Sequence, residues 1–168
     1  MKQSFLSFCL LFVLIFSGCS QTTIPERIPR VMPEFTFYNM KDNQAITRMA
    51  LTPQGNVVFI FFDPGCSHCQ KEAQEMGKQA DAFKDVSLYF ISQQEPQLVR
   101  DFMNTYAKDL VAKVNPQVLI DSDYTFLPLF NPSQYPALYV YSQKRKLLAY
   151  LEGENPIERV IEAVHTKP

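Results

Sequence analysis

The sequence predicts an α/β fold built on a parallel sheet with helical crossovers, and two observations lead there. Val57 to Phe62 and Val86 to Ile91 are short runs of apolar, mostly β-branched or aromatic residues, as strands buried on both faces are. After each run the apolar positions return at steps of three and four. Cys69, Ala73, Met76, Ala80 and Phe83 follow the first; Leu98, Phe102, Met103, Tyr106 and Leu110 follow the second. Strand, helix, strand, helix is the rhythm of a parallel sheet.

The chain opens with a targeting pattern: Lys2, an apolar run from Phe5 to Phe16, then Ser17 and Gly18 before Cys19. That run is too short to span a bilayer. Residues 1–18 are therefore read as a signal peptide, either cut before Cys19 or processed nearby as a plain secretory peptide. About 150 residues remain, enough for one domain with a core. The formal charge of −1 gives no reason to expect a nucleic-acid partner. Residues 19–33, with Pro25, Pro29 and Pro33, read as a tether, leaving 34–168 as the domain.

Within the domain, Phe35 to Tyr38 and Ala45 to Met49 flank a polar stretch and predict an N-terminal hairpin. Gln54-Gly55-Asn56 turns into the first central strand. Pro96 sits at a plausible first helical position for the helix carrying Leu98 to Leu110. Val118 to Ile120 predicts a further short strand, and Ser122 to Asn131 a short helix or turn bearing Phe126, Leu127 and Phe130. Ala137 to Tyr141 and Leu147 to Leu151 predict a hairpin whose basic tip, Lys144-Arg145-Lys146, reads as a solvated turn. Asn155 as cap, Pro156 and Glu158 open a last helix with Ile157, Val160, Ile161 and Val164 on its buried stripe. His165 closes it, where a histidine is satisfied or solvated and suits a helix C-terminus.

The chemistry concentrates at Cys66-Ser67-His68-Cys69, where Pro64 and Gly65 end the first central strand and a helix begins. Unpaired N–H groups at a helix start stabilise a thiolate, which favours Cys66 as the attacking sulfur. Cys69 lies one turn deeper, close enough to pair with it, as resolving thiol. Zinc would need four ligands, and the mature chain offers no second cysteine pair and only His68 and His165 besides. A purely structural disulfide is a weak staple across two intervening residues. No metal and no cofactor beyond a redox-active Cys66–Cys69 disulfide is expected. Of the four cysteines, Cys9 leaves with the signal, so an exported chain keeps the pair in an oxidising space.

Three features together resemble the thioredoxin superfamily, most closely its exported, membrane-tethered TlpA/ResA branch. Strand, Cys66-Ser67-His68-Cys69 and helix resemble the redox motif. Tyr135-Pro136 resembles the cis-proline element that packs against the disulfide. The N-terminal hairpin and the segment from Asp121 to Asn131, ahead of the cis-proline strand, resemble the additions that mark the tethered branch. The resemblance implies a thioredoxin-like fold: a central mixed sheet flanked by helices. Ile15-Phe16-Ser17-Gly18-Cys19 likewise resembles a bacterial lipobox, with Phe16 in place of the usual leucine, which implies lipid at Cys19 and a membrane-anchored protein in the cell envelope facing the periplasm.

That family pairs the backbone at Tyr135-Pro136 with its polypeptide substrates; without the resemblance an ordinary trans proline opening an edge strand fits equally. Glu72 matches a glutamate that assists proton movement to the buried thiol in ResA-like proteins, or faces water and complements the helix dipole. Gly65 stands where many relatives have tryptophan, Gln74 where many have a helix-kinking proline, and Ile60 where thioredoxin has a buried acid.

The expected activity is thiol-disulfide exchange with protein substrates, drawing on a membrane or periplasmic electron donor or acceptor, by a monomer. His68 between the cysteines stabilises a Cys66 thiolate and argues for an oxidant or isomerase, unless it is merely an exposed polar residue. Tethered relatives, reductants in cytochrome maturation or thiol repair, argue for a reductant. A copper-handling or non-catalytic peptide-binding module is the alternative, since two thiolates can hold a soft ion.

Overall fold

A computed structural model describes residues 23–168. The signal peptide, Cys9, the lipid site at Cys19 and the first residues of the expected tether lie outside them. The strands are β1 (Thr36–Asn39), β2 (Ala45–Thr47), β3 (Val57–Phe61), β4 (Ser87–Ser92), β5 (Gln117–Ile120), β6 (Ala137–Tyr141) and β7 (Leu147–Glu152). They form one sheet in the order β2-β1-β5-β4-β3-β6-β7. β3, β4 and β5 are parallel; β1 joins β5, and β6 joins β3, antiparallel. The mixed sheet, the N-terminal hairpin β1–β2 and the helix inserted before β6 agree with expectation.

Every residue of β3 is buried, because both sheet faces are covered. Alternation sorts them. Val58, Ile60 and Phe62 meet helices α1 (Ser67–Lys78), α2 (Pro96–Thr105), α3 (Lys108–Val114) and α5 (Ile157–Val164). Val57, Phe59 and Phe61 face an aromatic layer with α4 (Phe126–Phe130). There the Phe61 and Phe126 rings stack at 4.1 Å, and Phe126 and Phe130 at 4.3 Å.

Four local expectations are corrected. Residues 23–33 are not a free tether. Ile28 and Met32 are buried against the aromatic layer, Met32 N–H donates to the Arg145 carbonyl, and Leu147 N–H donates to that of Arg30. The apolar spacing that drew the chain in is carried by Ile24, Ile28 and Met32, between the prolines. Second, the single helix expected from Pro96 through Leu110 is two, α2 and α3, separated at Tyr106 and Ala107. α3 turns back onto α1 where Gly77 leaves room: a Cβ there would lie 3.3 Å from Asp109 Cβ. Rotation of α2 buries Val99 and leaves Leu98 half exposed.

Third, only the outer lysines of the basic tip are solvated. Arg145, at φ 64°, donates from Nη2 to the Leu51 carbonyl at 2.7 Å, tying the hairpin to the turn before β3. Finally, Pro156 rather than Asn155 stands at the cap of α5. Asn155 instead donates from Nδ2 to the Gly153 carbonyl at 2.9 Å, bracing the turn after β7. His165 lies exposed past α5, its Nε2 2.8 Å from the Ala82 carbonyl.

Candidate redox site

The parallel strands all run toward one end of the sheet, and the chemistry-bearing residues collect there. Asp63 shapes the turn from β3 into α1. Its Oδ1 accepts from Gly65 N–H at 2.7 Å, its carbonyl accepts from Cys66 N–H at 3.0 Å, and its Oδ2 accepts from Gln94 Nε2, after β4, at 2.7 Å. An aspartate bonding the backbone two residues on is an ordinary turn device. Here it delivers Cys66 to the cap position of α1, in extended backbone at φ −79° and ψ 118°. No side chain caps that helix, so the first free N–H groups of α1 open beside the Cys66 sulfur.

Cys66 is partly exposed and Cys69 buried, both as free thiols. Burial pushes the Cys69 thiol far above its ordinary value. A hydrogen bond from the Asp63 backbone works against that, while the hydrogen bond with Cys66 and the nearby Glu72 add to it. The two sulfurs thus stand in unequal environments, Cys66 partly open to solvent and Cys69 shielded from it.

Opposite Cys66, the Tyr135-Pro136 peptide is cis. Register explains the placement: Ala137 pairs with Phe61, so the residues before it lie level with the turn that carries Cys66. The Tyr135 carbonyl oxygen sits 4.0 Å from Cys66 Sγ. Gly153 N–H donates to the Pro136 carbonyl at 2.9 Å and so draws the β7–α5 turn into the site. A glycine is favoured there. The φ of Gly153 is +68°, and a Cβ would fall 2.6 Å from Gln134 Oε1.

Glu72 does not face water. It is buried on α1 with Oε1 unpartnered, and burial pushes its carboxyl up to about 8. A cleft of about 550 Å³ between α1 and the β7–α5 turn runs past it, with His68, Lys71 and Glu154 at the rim. Glu154 carried no signal in the sequence, because its contacts are made across the fold. Its Oε2 lies 3.0 Å from His68 Nδ1, and its Oε1 accepts from Lys71 Nζ. Lys71 first, and His68 after it, hold the Glu154 carboxyl below the usual range. His68 is therefore engaged by Glu154 through Nδ1.

Gln74 is exposed on an unbroken α1, and Ile60 is buried in the helical-face core, so Glu72 is the buried carboxyl beside Cys69. Among the described residues, no three His, Cys, Asp or Glu side chains gather as a metal site, and no helix is long and apolar enough to cross a membrane.

Comparison with curated proteins gives no match. Solved structures do match. DsbF of Mycobacterium tuberculosis, in mixed oxidised and reduced forms, aligns with a TM-score of 0.64 at 20% identity, over 84% of this chain and 97% of its own. A secreted disulfide oxidoreductase of the same organism, described as homologous to E. coli DsbE, aligns at 0.63 and 19%, over 77% and 93%. StoA of Bacillus subtilis aligns at 0.58 and 18%, over 82% and 100%. These likenesses establish a thioredoxin-like fold. The sequence model that matches residues 28–150 is that of the AhpC/TSA family, and it takes in Cys66, Cys69, Glu72 and the Tyr135-Pro136 turn: the chain belongs to the AhpC/TSA family.

Proposed function

We propose that the protein is a thiol-disulfide oxidoreductase of TlpA/ResA type, exported and anchored by lipid at Cys19 to a membrane of the cell envelope, facing the periplasm. One observation carries the activity: a partly exposed Cys66 at the open start of a helix, backed by a buried Cys69 and faced by the Tyr135 carbonyl. The Cys66 thiolate attacks a client disulfide, and a mixed disulfide forms as the client's other sulfur leaves. Cys69 then gives up its proton and displaces the client from Cys66. Two electrons have passed to the client, and the pair is left as the Cys66–Cys69 disulfide. Tyr135, with Pro136, offers its backbone to the client strand.

Glu72 is the proton acceptor for Cys69. Its raised affinity for protons brings it closer to the thiol it serves, which is the condition for efficient transfer. Glu154 supports a reducing direction, since its carboxylate offsets the positive charge of Lys71 and of a protonated His68 beside the site. Less stabilisation of the Cys66 thiolate means a less oxidising couple. A membrane-linked donor that returns electrons to the pair, and exported client thiols such as those awaiting cytochrome maturation, complete the proposed role.

Replacing Cys69 with serine tests the reading. The variant is expected to accumulate mixed disulfides through Cys66 that dissolve on reduction. A variant that traps nothing while losing bound Cu(I) would support the copper carrier instead.

A further inference from the structure

Resting on that reading, the geometry points to a client class: we infer that the groove between the Cys66 turn and α2 receives a client segment carrying a lysine or arginine next to an apolar side chain, close to its reactive cysteine. The groove, of about 400 Å³, begins at Pro64 and Gly65, the two residues immediately before Cys66 in the turn. Gly65 presents no side chain to close it. The floor is apolar, formed by Phe102, Tyr106 and the half-exposed Leu98. Leu98 is 51% exposed while the other large apolar side chains of α2, Val99, Phe102 and Met103, are buried, and such a surface gains from being covered.

Charge decides what covers it. Asp63 and Asp101 are the only ionisable groups of strong charge at the groove, and no lysine, arginine or histidine lines it. Both carboxylates bond to neutral donors: Asp63 to Gly65 N–H and Gln94, Asp101 to Gln97 at 2.9 Å. Neither belongs to an ion pair among the described residues. Arg100, one residue from Asp101, lines a separate groove with Met40 and Val118. Two carboxylates thus stand over an apolar floor, next to the turn that carries Cys66, with no cation lining the groove. A guanidinium or ammonium on an aliphatic stem matches both features, its stem on Leu98 and its head toward the carboxylates.

The test uses the reduced protein and two peptides, each a mixed disulfide with glutathione, identical except for Leu-Arg or Ser-Glu beside the cysteine. Each reduction gives one peptide thiol and one glutathione for the Cys66–Cys69 disulfide formed, and dithiothreitol, whose direct rate is subtracted, re-reduces the pair between turnovers. Hydroxyethyl disulfide, too small to reach the groove, is the basal substrate. The Leu-Arg peptide is expected to react with roughly tenfold higher kcat/KM, through KM, given two exposed charge contacts. The ratio should fall to about twofold in Asp101→Asn and in high salt. Leu98→Ser should raise KM for the Leu-Arg peptide, with hydroxyethyl disulfide reduced equally by all forms. A ratio within twofold in the unaltered protein, or one that survives Asp101→Asn, overturns the assignment while leaving the redox reading intact. Failure to reduce hydroxyethyl disulfide overturns the redox reading, and the assignment with it.

Discussion

Glu72 holds its carboxyl under α1 with one oxygen bare of partners, and this sets a measurable dependence on pH. Its folded pKa, about 8, lies above its ordinary value of 4.5. Below 4.5 both folded and unfolded chains hold the proton, and Glu72 costs nothing in ionisation. Between 4.5 and 8 only the unfolded chain gives it up, so stability drains as pH rises through that window. Glu72→Gln keeps the shape and removes the titration. Its advantage in thermal stability over the unaltered protein should grow from pH 4 to pH 8, toward roughly 3–5 kcal/mol. An advantage that does not change with pH would contradict the burial of this group. On the proposed mechanism the same variant should slow release of trapped client, because it removes the acceptor proposed for the Cys69 proton. At this scale the sequence showed the cysteines, His68, Glu72 and Tyr135-Pro136 as candidates, since each stands in a local motif. It could not show that Glu72 is buried, nor that Glu154 takes His68, because both depend on the β7–α5 turn arriving from far along the chain.

Asp121 illustrates the scale of the element. It follows β5, is fully buried, and uses both oxygens. Oδ1 accepts from the backbone and hydroxyl of Thr125, and Oδ2 from Phe126 N–H at 2.7 Å and Gln93 Nε2 at 2.7 Å. These bonds start α4 and so set Phe126 against Phe61 beneath the redox turn. Asp121→Ala leaves buried donors unpaired and should cost roughly 2–4 kcal/mol in denaturant unfolding. A loss within experimental error would mean that α4 is held by its rings alone. Strands and their order of appearance were legible because buried runs are short and bounded by turn residues. The break between α2 and α3 was not, because Tyr106 and Leu110 continue the helical spacing across it. What ends α2 is a tertiary fact: α3 closes onto α1 at Gly77.

For the molecule as a whole, the N-terminal segment belongs to the fold. Removing residues 23–33 would expose the pocket that holds Ile28 and Met32 and would free Glu152 from Arg27, whose Nη2 donates to it at 2.6 Å. Compared with a chain beginning at residue 23, one beginning at 34 should lose roughly 3–6 kcal/mol of stability from the two apolar side chains. Equal melting temperatures would restore the free tether that its prolines imply. Three prolines read as a linker in isolation, and only the sheet they cross shows that the residues between them are packed. The proposed activity needs a couple that cycles between dithiol and disulfide. Equilibrating the protein with glutathione buffers and quantifying Cys66–Cys69 by thiol labelling measures that couple directly. A single two-electron transition on the reducing side, nearer to about −270 mV than to −120 mV, is the predicted result. A pair that never forms a disulfide across the series, or a midpoint close to −120 mV, would contradict it.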